Sequence, residues 1–150
     1  IPAGARMVAY QMHERMDGTG YPRRRVGTTI HLLARVAAVA DAFVALVAPR
    51  PHRRGMLPYH AMAKILKDTS AGKFDPTVVR HLLLTISLFP LGSFIELNNN
   101  RVGRVLRAGE KYDRPIIELW DRGEVDHPGA VVDLSHDADV QIVRPLVSLA

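Results

Sequence analysis

The sequence predicts an α+β protein: an all-α helical half over residues 1–90, followed by a small antiparallel β-barrel or curled sheet over residues 91–150. The first observation is a change of hydrophobic period near Pro90, from the 3.6-residue spacing of helices to the two-residue alternation of strands. The second is that helix-starting Asp and Pro residues precede this point, whereas clusters of turn-forming residues follow it. We therefore expect two domains with their boundary near Pro90.

Four segments of the first half are predicted to be helical. They run from Ala3 to Arg15, from Ile30 to Val47, from Pro58 to about Lys67, and from Asp75-Pro76 onward. Pro58 and Pro76 suit the first turn of a helix, and the Asp75 carboxylate can cap the fourth helix. Apolar side chains at helical spacing define the face of the second helix, at Leu33, Val36, Ala37, Ala40, Phe43 and Val47.

Five short runs with the alternation and composition of strands follow Pro90. They cover residues 94–97, 102–106, 115–119, 130–134 and 140–143, with turn formers such as Asn98-Asn99-Asn100 and Ala108-Gly109 between them. Five strands in about 60 residues indicate a small barrel or a curled sheet.

The composition is that of a globular protein, with a net charge of +5 and no cysteine. The absence of cysteine excludes disulfides and thiolate metal sites. No apolar run reaches the roughly 18 residues of a membrane span, and no signal peptide is visible, so we expect a cytoplasmic location. The opening residues Ile1–Gly4 resemble the interior of a longer protein. The Arg23-Arg24-Arg25 run is interpreted as a solvated loop, because no aromatic residues interleave it, and no nucleic-acid partner is expected.

The most informative stretch is His13-Glu14-Arg15-Met16-Asp17-Gly18-Thr19-Gly20-Tyr21-Pro22. It combines a metal-ligating residue type, two carboxylates, two glycines and a Tyr-Pro pair at the end of a helix. Downstream, Val39 to Leu46 reads Val-Ala-Asp-Ala-Phe-Val-Ala-Leu. Together these motifs resemble the HD-GYP domain, whose signature reads His-His-Glu-x-x-Asp-Gly-x-Gly-Tyr-Pro. The resemblance covers about residues 5–90, the second half of such a domain, and the tail resembles the small β-module that often follows it.

The resemblance implies a metal-dependent phosphodiesterase that hydrolyses the bacterial messenger cyclic di-GMP. In that family two or three metal ions, iron or manganese, polarise the phosphodiester and activate a hydroxide. The resemblance places His13 and Asp41 on metal-ligand positions and Arg50 and Arg53 on positions that hold the substrate phosphates. The motif loop comprises Glu14, Asp17, Gly18, Gly20, Tyr21 and Pro22, with Tyr21 beside the substrate.

Three departures from the family pattern bear on activity. Met12 replaces the first tandem histidine, and a thioether is a poor ligand for hard first-row ions. Val44 replaces a frequent Asp, and the family's upstream His-Asp pair has no counterpart in this sequence. His136-Asp137 lies in a turn of the β-rich tail, so it does not replace that pair. Two ligands cannot build a dinuclear site, so one alternative is that the chain binds no metal.

Each assigned residue also has an ordinary structural interpretation. His13 can cap a helix end, and Arg50, Arg53 and Arg54 can form a solvated turn. Asp41 stands among apolar residues of its helix, where a buried carboxylate would need a metal ion or an arginine partner.

Two functional hypotheses follow. The first is that the chain is part of a cyclic di-GMP phosphodiesterase and is inactive alone. The second is a degenerate, non-catalytic HD-GYP regulator that binds a signalling partner, such as a diguanylate cyclase domain, through the Gly-Tyr-Pro loop.

Overall fold

A computed structural model of the chain describes residues 2–120 and 129–146. It divides into two compact units, residues 1–85 and residues 86–150, and each is described by itself. The first unit is helical and the second contains a five-stranded antiparallel sheet, which confirms the predicted α+β class. In the described ranges, no helix combines the length and the apolar character that crossing a membrane requires.

The helical unit has four α-helices and a short 3-10 turn in its described part. The helices are α1 (Ala3–Gln11), α2 (Leu32–Val47), α3 (Pro58–Ser70) and α4 (Pro76–Thr85), and the 3-10 turn is Gly27–Thr29. Helix α2 is central, because it contacts each of the other three helices. The predicted first helix ended at Arg15, whereas α1 ends at Gln11, and the next residues turn into the loop that carries the signature motif.

The predicted start of α4 is confirmed. The Asp75 carboxylate accepts hydrogen bonds from the Thr77 N–H at 2.9 Å and the Val78 N–H at 3.5 Å, and Pro76 occupies the first turn. The same carboxylate pairs with the Arg35 guanidinium at 2.7 Å, which joins α4 to α2. Burial alone would raise the pKa of Asp75, but the bonds from Arg35 and from the two backbone N–H groups outweigh it, so the pKa is lowered.

The buried face of α2 differs from the predicted one. Ala34, Ala38 and Val39 are buried, whereas Leu33 is 54% exposed and Val36 is 45% exposed. The physical reason is that α2 is apolar around most of its circumference, so the spacing of its apolar residues does not indicate which face is buried. Small alanines allow close helix packing, and the larger residues border an apolar cavity of about 690 Å³ between α2 and α4.

The second unit pairs its strands in the order β4-β3-β2-β1-β5, all antiparallel. The strands are β1 (Phe94–Leu97), β2 (Val102–Lys111), β3 (Arg114–Trp120), β4 (Val131–Asp133) and β5 (Ile142–Leu146). Alternate residues such as Ile95, Ile117 and Leu119 are buried, as the two-residue period predicts. Strands β4 and β5 are the edges of this sheet in the described residues, so the sheet is not closed there. Strand β5 lies two residues later than predicted, and its Pro145 is tolerated because β5 is an edge strand.

Candidate functional site

The motif loop is organised by Glu14, which is buried and only 2% exposed. Its Oε1 accepts a hydrogen bond from the Arg23 N–H at 2.7 Å, and its Oε2 accepts one from the Arg25 N–H at 2.9 Å. A buried carboxylate needs such partners, and bonds to a charged acceptor are among the stronger ones in proteins. Glu14 therefore fixes the return of the loop through backbone atoms.

The glycines and Asp17 shape the tip of the loop. Asp17 Oδ1 accepts hydrogen bonds from the Thr19 N–H at 3.0 Å and the Thr19 hydroxyl at 2.7 Å, and these bonds lower the pKa of Asp17. Gly18 has a φ of +80°, which favours glycine. A Cβ on Gly20 would lie 2.3 Å from the Arg15 nitrogen, so only glycine fits there.

His13 and Tyr21 form a stacked pair on the motif loop. Their ring centroids are 4.9 Å apart with an interplanar angle of 19°, and the Tyr21 N–H donates to the His13 carbonyl at 3.2 Å. Tyr21 remains 61% exposed. The pair presents an aromatic face and an imidazole to solvent, which suits a base or a partner's side chain.

The Arg50–Arg53 turn follows the end of α2. The Arg50 N–H donates to the Arg53 carbonyl at 2.8 Å, and the Arg53 N–H donates to the Arg50 carbonyl at 3.0 Å. The Arg53 guanidinium donates to the Ala45 carbonyl at 2.5 Å and the Leu46 carbonyl at 3.5 Å, at the C-terminus of the helix, where unpaired carbonyls attract cations. The Arg50 guanidinium, in contrast, has no hydrogen bond within the described residues.

A cavity of about 350 Å³, the α2–α3 pocket, lies between the last turns of α2, helix α3 and the segment before α4. Its walls include Ala42, Ala45, Leu46, Ile65 and Phe74. The charged side chains along it are Arg15, Arg50, Arg53, Lys64, Lys73 and Asp68. The Arg15 guanidinium lies 5.0 Å from the centre of the Phe74 ring, within the range of a cation–π contact. Five cations against one carboxylate make this pocket chemically suited to an anion.

The structure brings Arg50 and Arg53 together at this pocket, but His13 and Tyr21 are not among its lining residues. Asp41 is exposed, so the expectation that it is buried in an apolar helix face is wrong. The helix turns Asp41 outward and buries Ala38 and Val39 instead. The metal-ligand roles of His13 and Asp41 stay predictions.

Within the described residues, the donor set does not fit a dinuclear metal centre. No group of three or more His, Cys, Asp or Glu side chains that could hold a metal ion occurs in the part of the chain that is described. His13 and Asp41 are two donors, whereas each metal ion of a catalytic pair needs several.

Sequence reasoning missed the residues of the pocket that come from α3 and beyond. Lys64 and Asp68 have the i,i+4 spacing of a helical ion pair, which was an available signal. The sequence contains no comparable signal for Lys73 and Arg15. The position of Lys73 depends on the turn that follows α3, and the position of Arg15 depends on the end of α1. The role of Glu14 as a backbone acceptor was also invisible, because its donors lie nine and eleven residues further on.

Residues 3–78 match the family model described as HD domain. The chain belongs to the HD domain family. The match covers α1, α2, α3 and the first turn of α4. It includes the motif loop and the α2–α3 pocket.

Relatives of known activity refine this assignment. The chain is 35% identical over 130 residues to a cyclic di-GMP phosphodiesterase of Pseudomonas aeruginosa, which covers 85% of this chain and 31% of the relative. It is 25% identical over 131 residues to the cyclic di-GMP phosphodiesterase PdeB of Borreliella burgdorferi, covering 87% of this chain and 33% of the relative. It is 42% identical over 83 residues to the cyclic di-GMP phosphodiesterase response regulator RpfG of Xanthomonas campestris, covering 55% of this chain and 21% of the relative. The predicted relationship to HD-GYP phosphodiesterases is confirmed. This chain spans a third or less of the length of these relatives.

Proposed function

We propose that this chain is the C-terminal part of an HD-GYP domain with its following β-module, from a cytoplasmic cyclic di-GMP phosphodiesterase. The HD-GYP part takes residues 1–90 and the β-module residues 91–150. In the complete enzyme, His13 and Asp41 join further ligands around iron or manganese. The chain alone binds the messenger without hydrolysing it.

The observation that carries the proposal is the free Arg50 guanidinium at the cationic α2–α3 pocket. Guanidinium groups hold phosphate oxygens through paired hydrogen bonds, and this one has no competing partner among the described residues. Arg53 contributes differently from the prediction, because its guanidinium caps α2. It fixes the turn that presents Arg50, and it adds positive charge.

Cyclic di-GMP suits such a surface because it carries two phosphodiester anions and two guanine bases. The phosphates meet the cations at the pocket, and the exposed Tyr21 ring can stack on a base. Its stacking partner, His13, and the backbone bonds to Glu14 hold this ring in place without any metal ion.

Titration of the purified chain with cyclic di-GMP by calorimetry, without metal, tests the proposal. Loss of a charge-assisted hydrogen bond costs about 1.5–3 kcal/mol, so Arg50→Ala should weaken binding about 10- to 100-fold. Arg54→Ala is the matched control, because Arg54 is exposed, nearby and absent from the pocket lining. Equal affinity of the Arg50 variant and the wild type, or no binding by the wild type, refutes the proposal.

The second candidate function is a non-catalytic regulator that binds a diguanylate cyclase domain through the Gly-Tyr-Pro loop. The exposure of Tyr21 on a loop fixed by Glu14 favours it. Tyr21→Ala should then abolish binding to a cyclase domain, while Arg50→Ala leaves it unchanged. The opposite pattern would favour binding of the dinucleotide.

A further inference from the structure

The α2–α3 pocket is lined by further cations besides those of the Arg50–Arg53 turn. Lys64 on α3 and Lys73 in the turn after α3 are two of them. Their ammonium groups are drawn toward one carboxylate: Lys73 Nζ lies 2.9 Å from Asp68 Oδ1, and Lys64 Nζ lies 3.7 Å from Asp68 Oδ2. One negative charge therefore serves two positive charges, which leaves an excess of positive charge at the pocket.

The backbone holds Lys73 at this place. The Lys73 N–H donates to the Asp68 carbonyl at 3.0 Å, and the Lys73 carbonyl accepts from the Met16 N–H at 2.9 Å. Gly72, with a φ of +84°, makes the preceding turn. The ammonium group consequently extends from a fixed point that is tied both to α3 and to the motif loop.

We propose that Lys64 and Lys73 are phosphate-binding residues of the α2–α3 pocket, and that Asp68 is their internal counter-ion, which a bound phosphate replaces. This rests on the proposed function in one respect, that the physiological ligand is cyclic di-GMP. The pocket volume of about 350 Å³ suits one phosphate and its sugar. The Lys64 and Lys73 side chains are 54% and 41% exposed, so the charge interactions at this site act in largely hydrated surroundings.

Asp68→Asn gives the discriminating result. If Asp68 only supports the fold, its loss weakens binding or leaves it unchanged. If Asp68 competes with the ligand for the two ammonium groups, its loss tightens binding. We expect cyclic di-GMP to bind Asp68→Asn about 3- to 10-fold more tightly, as one nearby charge changes in a largely hydrated setting, with a smaller gain at high salt. Asp113→Asn, in the other unit, makes the same change of net charge and should have no such effect.

Lys73→Gln and Lys64→Gln test the same site independently if Asp68→Asn does not fold. Each removes a positive charge and keeps a polar side chain, and each should weaken binding about 3- to 10-fold. Lys67→Gln is the control, because Lys67 is exposed on α3 and does not line the pocket.

Inorganic phosphate, followed by NMR shifts of the amides of residues 68–74, separates this inference from the proposed function. Phosphate binding that is tighter in Asp68→Asn supports the site even if cyclic di-GMP does not bind. Cyclic di-GMP binding that depends on Arg50 but is unaffected by Asp68→Asn and both lysine changes overturns the site and leaves the proposed function standing. Absence of binding by both ligands overturns both.

Discussion

At the scale of the residue, Glu14 shows that a signature residue can act on the backbone rather than on a substrate. Its two oxygens meet two N–H groups of the returning loop. Prediction from the sequence identified the motif but not this role, because the donors are backbone N–H groups that any residue type except proline supplies. Asp41 shows a second limit of prediction from the sequence. Its apolar neighbours in sequence indicated burial, whereas the helix turns it outward.

The Glu14 contacts predict a loss of stability in Glu14→Gln. An amide offers one acceptor and places its NH₂ group against the second backbone N–H, so we expect the free energy of unfolding of the helical unit to fall by about 2–3 kcal/mol. Urea unfolding followed by circular dichroism at 222 nm measures this. Fluorescence of Trp120, the single Trp, follows the sheet unit and should be unchanged. An unaltered helical transition would contradict the role given to Glu14.

At the scale of the element, capping residues and first-turn prolines predicted where helices begin, whereas hydrophobic periodicity did not predict which helix face is buried. Asp75-Pro76 and Pro58 began their helices as expected, because caps and first-turn prolines act within a few residues. The buried face of α2 was predicted wrongly, because a helix that is apolar nearly all round has no dominant period. Strand β5 was displaced because its position depends on pairing with β1, far away in the sequence.

The Arg35–Asp75 pair that joins α2 to α4 predicts an acid-sensitive helical unit. The pKa of Asp75 in the folded chain lies below the ordinary value of 3.8, so the unfolded chain takes up the proton first. The resulting stabilisation is complete above about pH 4 and is lost as the pH falls through the folded pKa.

Asp75→Asn should keep the helix cap, since Asn also caps well, but lose the ion pair. We expect about 1.5–3 kcal/mol less stability at pH 7. The decline in stability on acidification should be shallower than in the wild type, because Asp75 no longer contributes to it. Some decline should remain, because Asp17 and Asp68 also have lowered pKa values. Thermal melts at pH 3 to 7 measure the difference, with Asp41→Asn on the exposed part of α2 as the control. An equally steep decline in the Asp75 variant would show that this pair does not contribute.

At the scale of the whole molecule, a helical HD domain unit and an antiparallel sheet unit share a chain with a net charge of +5. The sequence was sufficient to predict the class and the family. The α2–α3 pocket required the structure, because its charges come from four separate segments that no sequence period connects.

The donor set predicts that this polypeptide does not hydrolyse cyclic di-GMP. Two ligands leave most coordination positions of a metal pair to water, so metal affinity and Lewis acidity are both insufficient. Incubation with manganese or iron(II) and chromatography of the nucleotides should show no linear dinucleotide. Metal-dependent conversion that disappears in His13→Ala would contradict this.

The hydrogen bonds from main-chain N–H groups to Glu14 also bear on what the signature motif indicates in other members of the family. The bonds to Glu14 require only main-chain N–H groups at positions 23 and 25, so any residue type except proline can supply them. These contacts involve neither His13 nor Asp41, the residues predicted as metal ligands. A Gly-Tyr-Pro motif is therefore evidence for the shape of this loop, whereas evidence for hydrolysis has to come from the metal ligands around it.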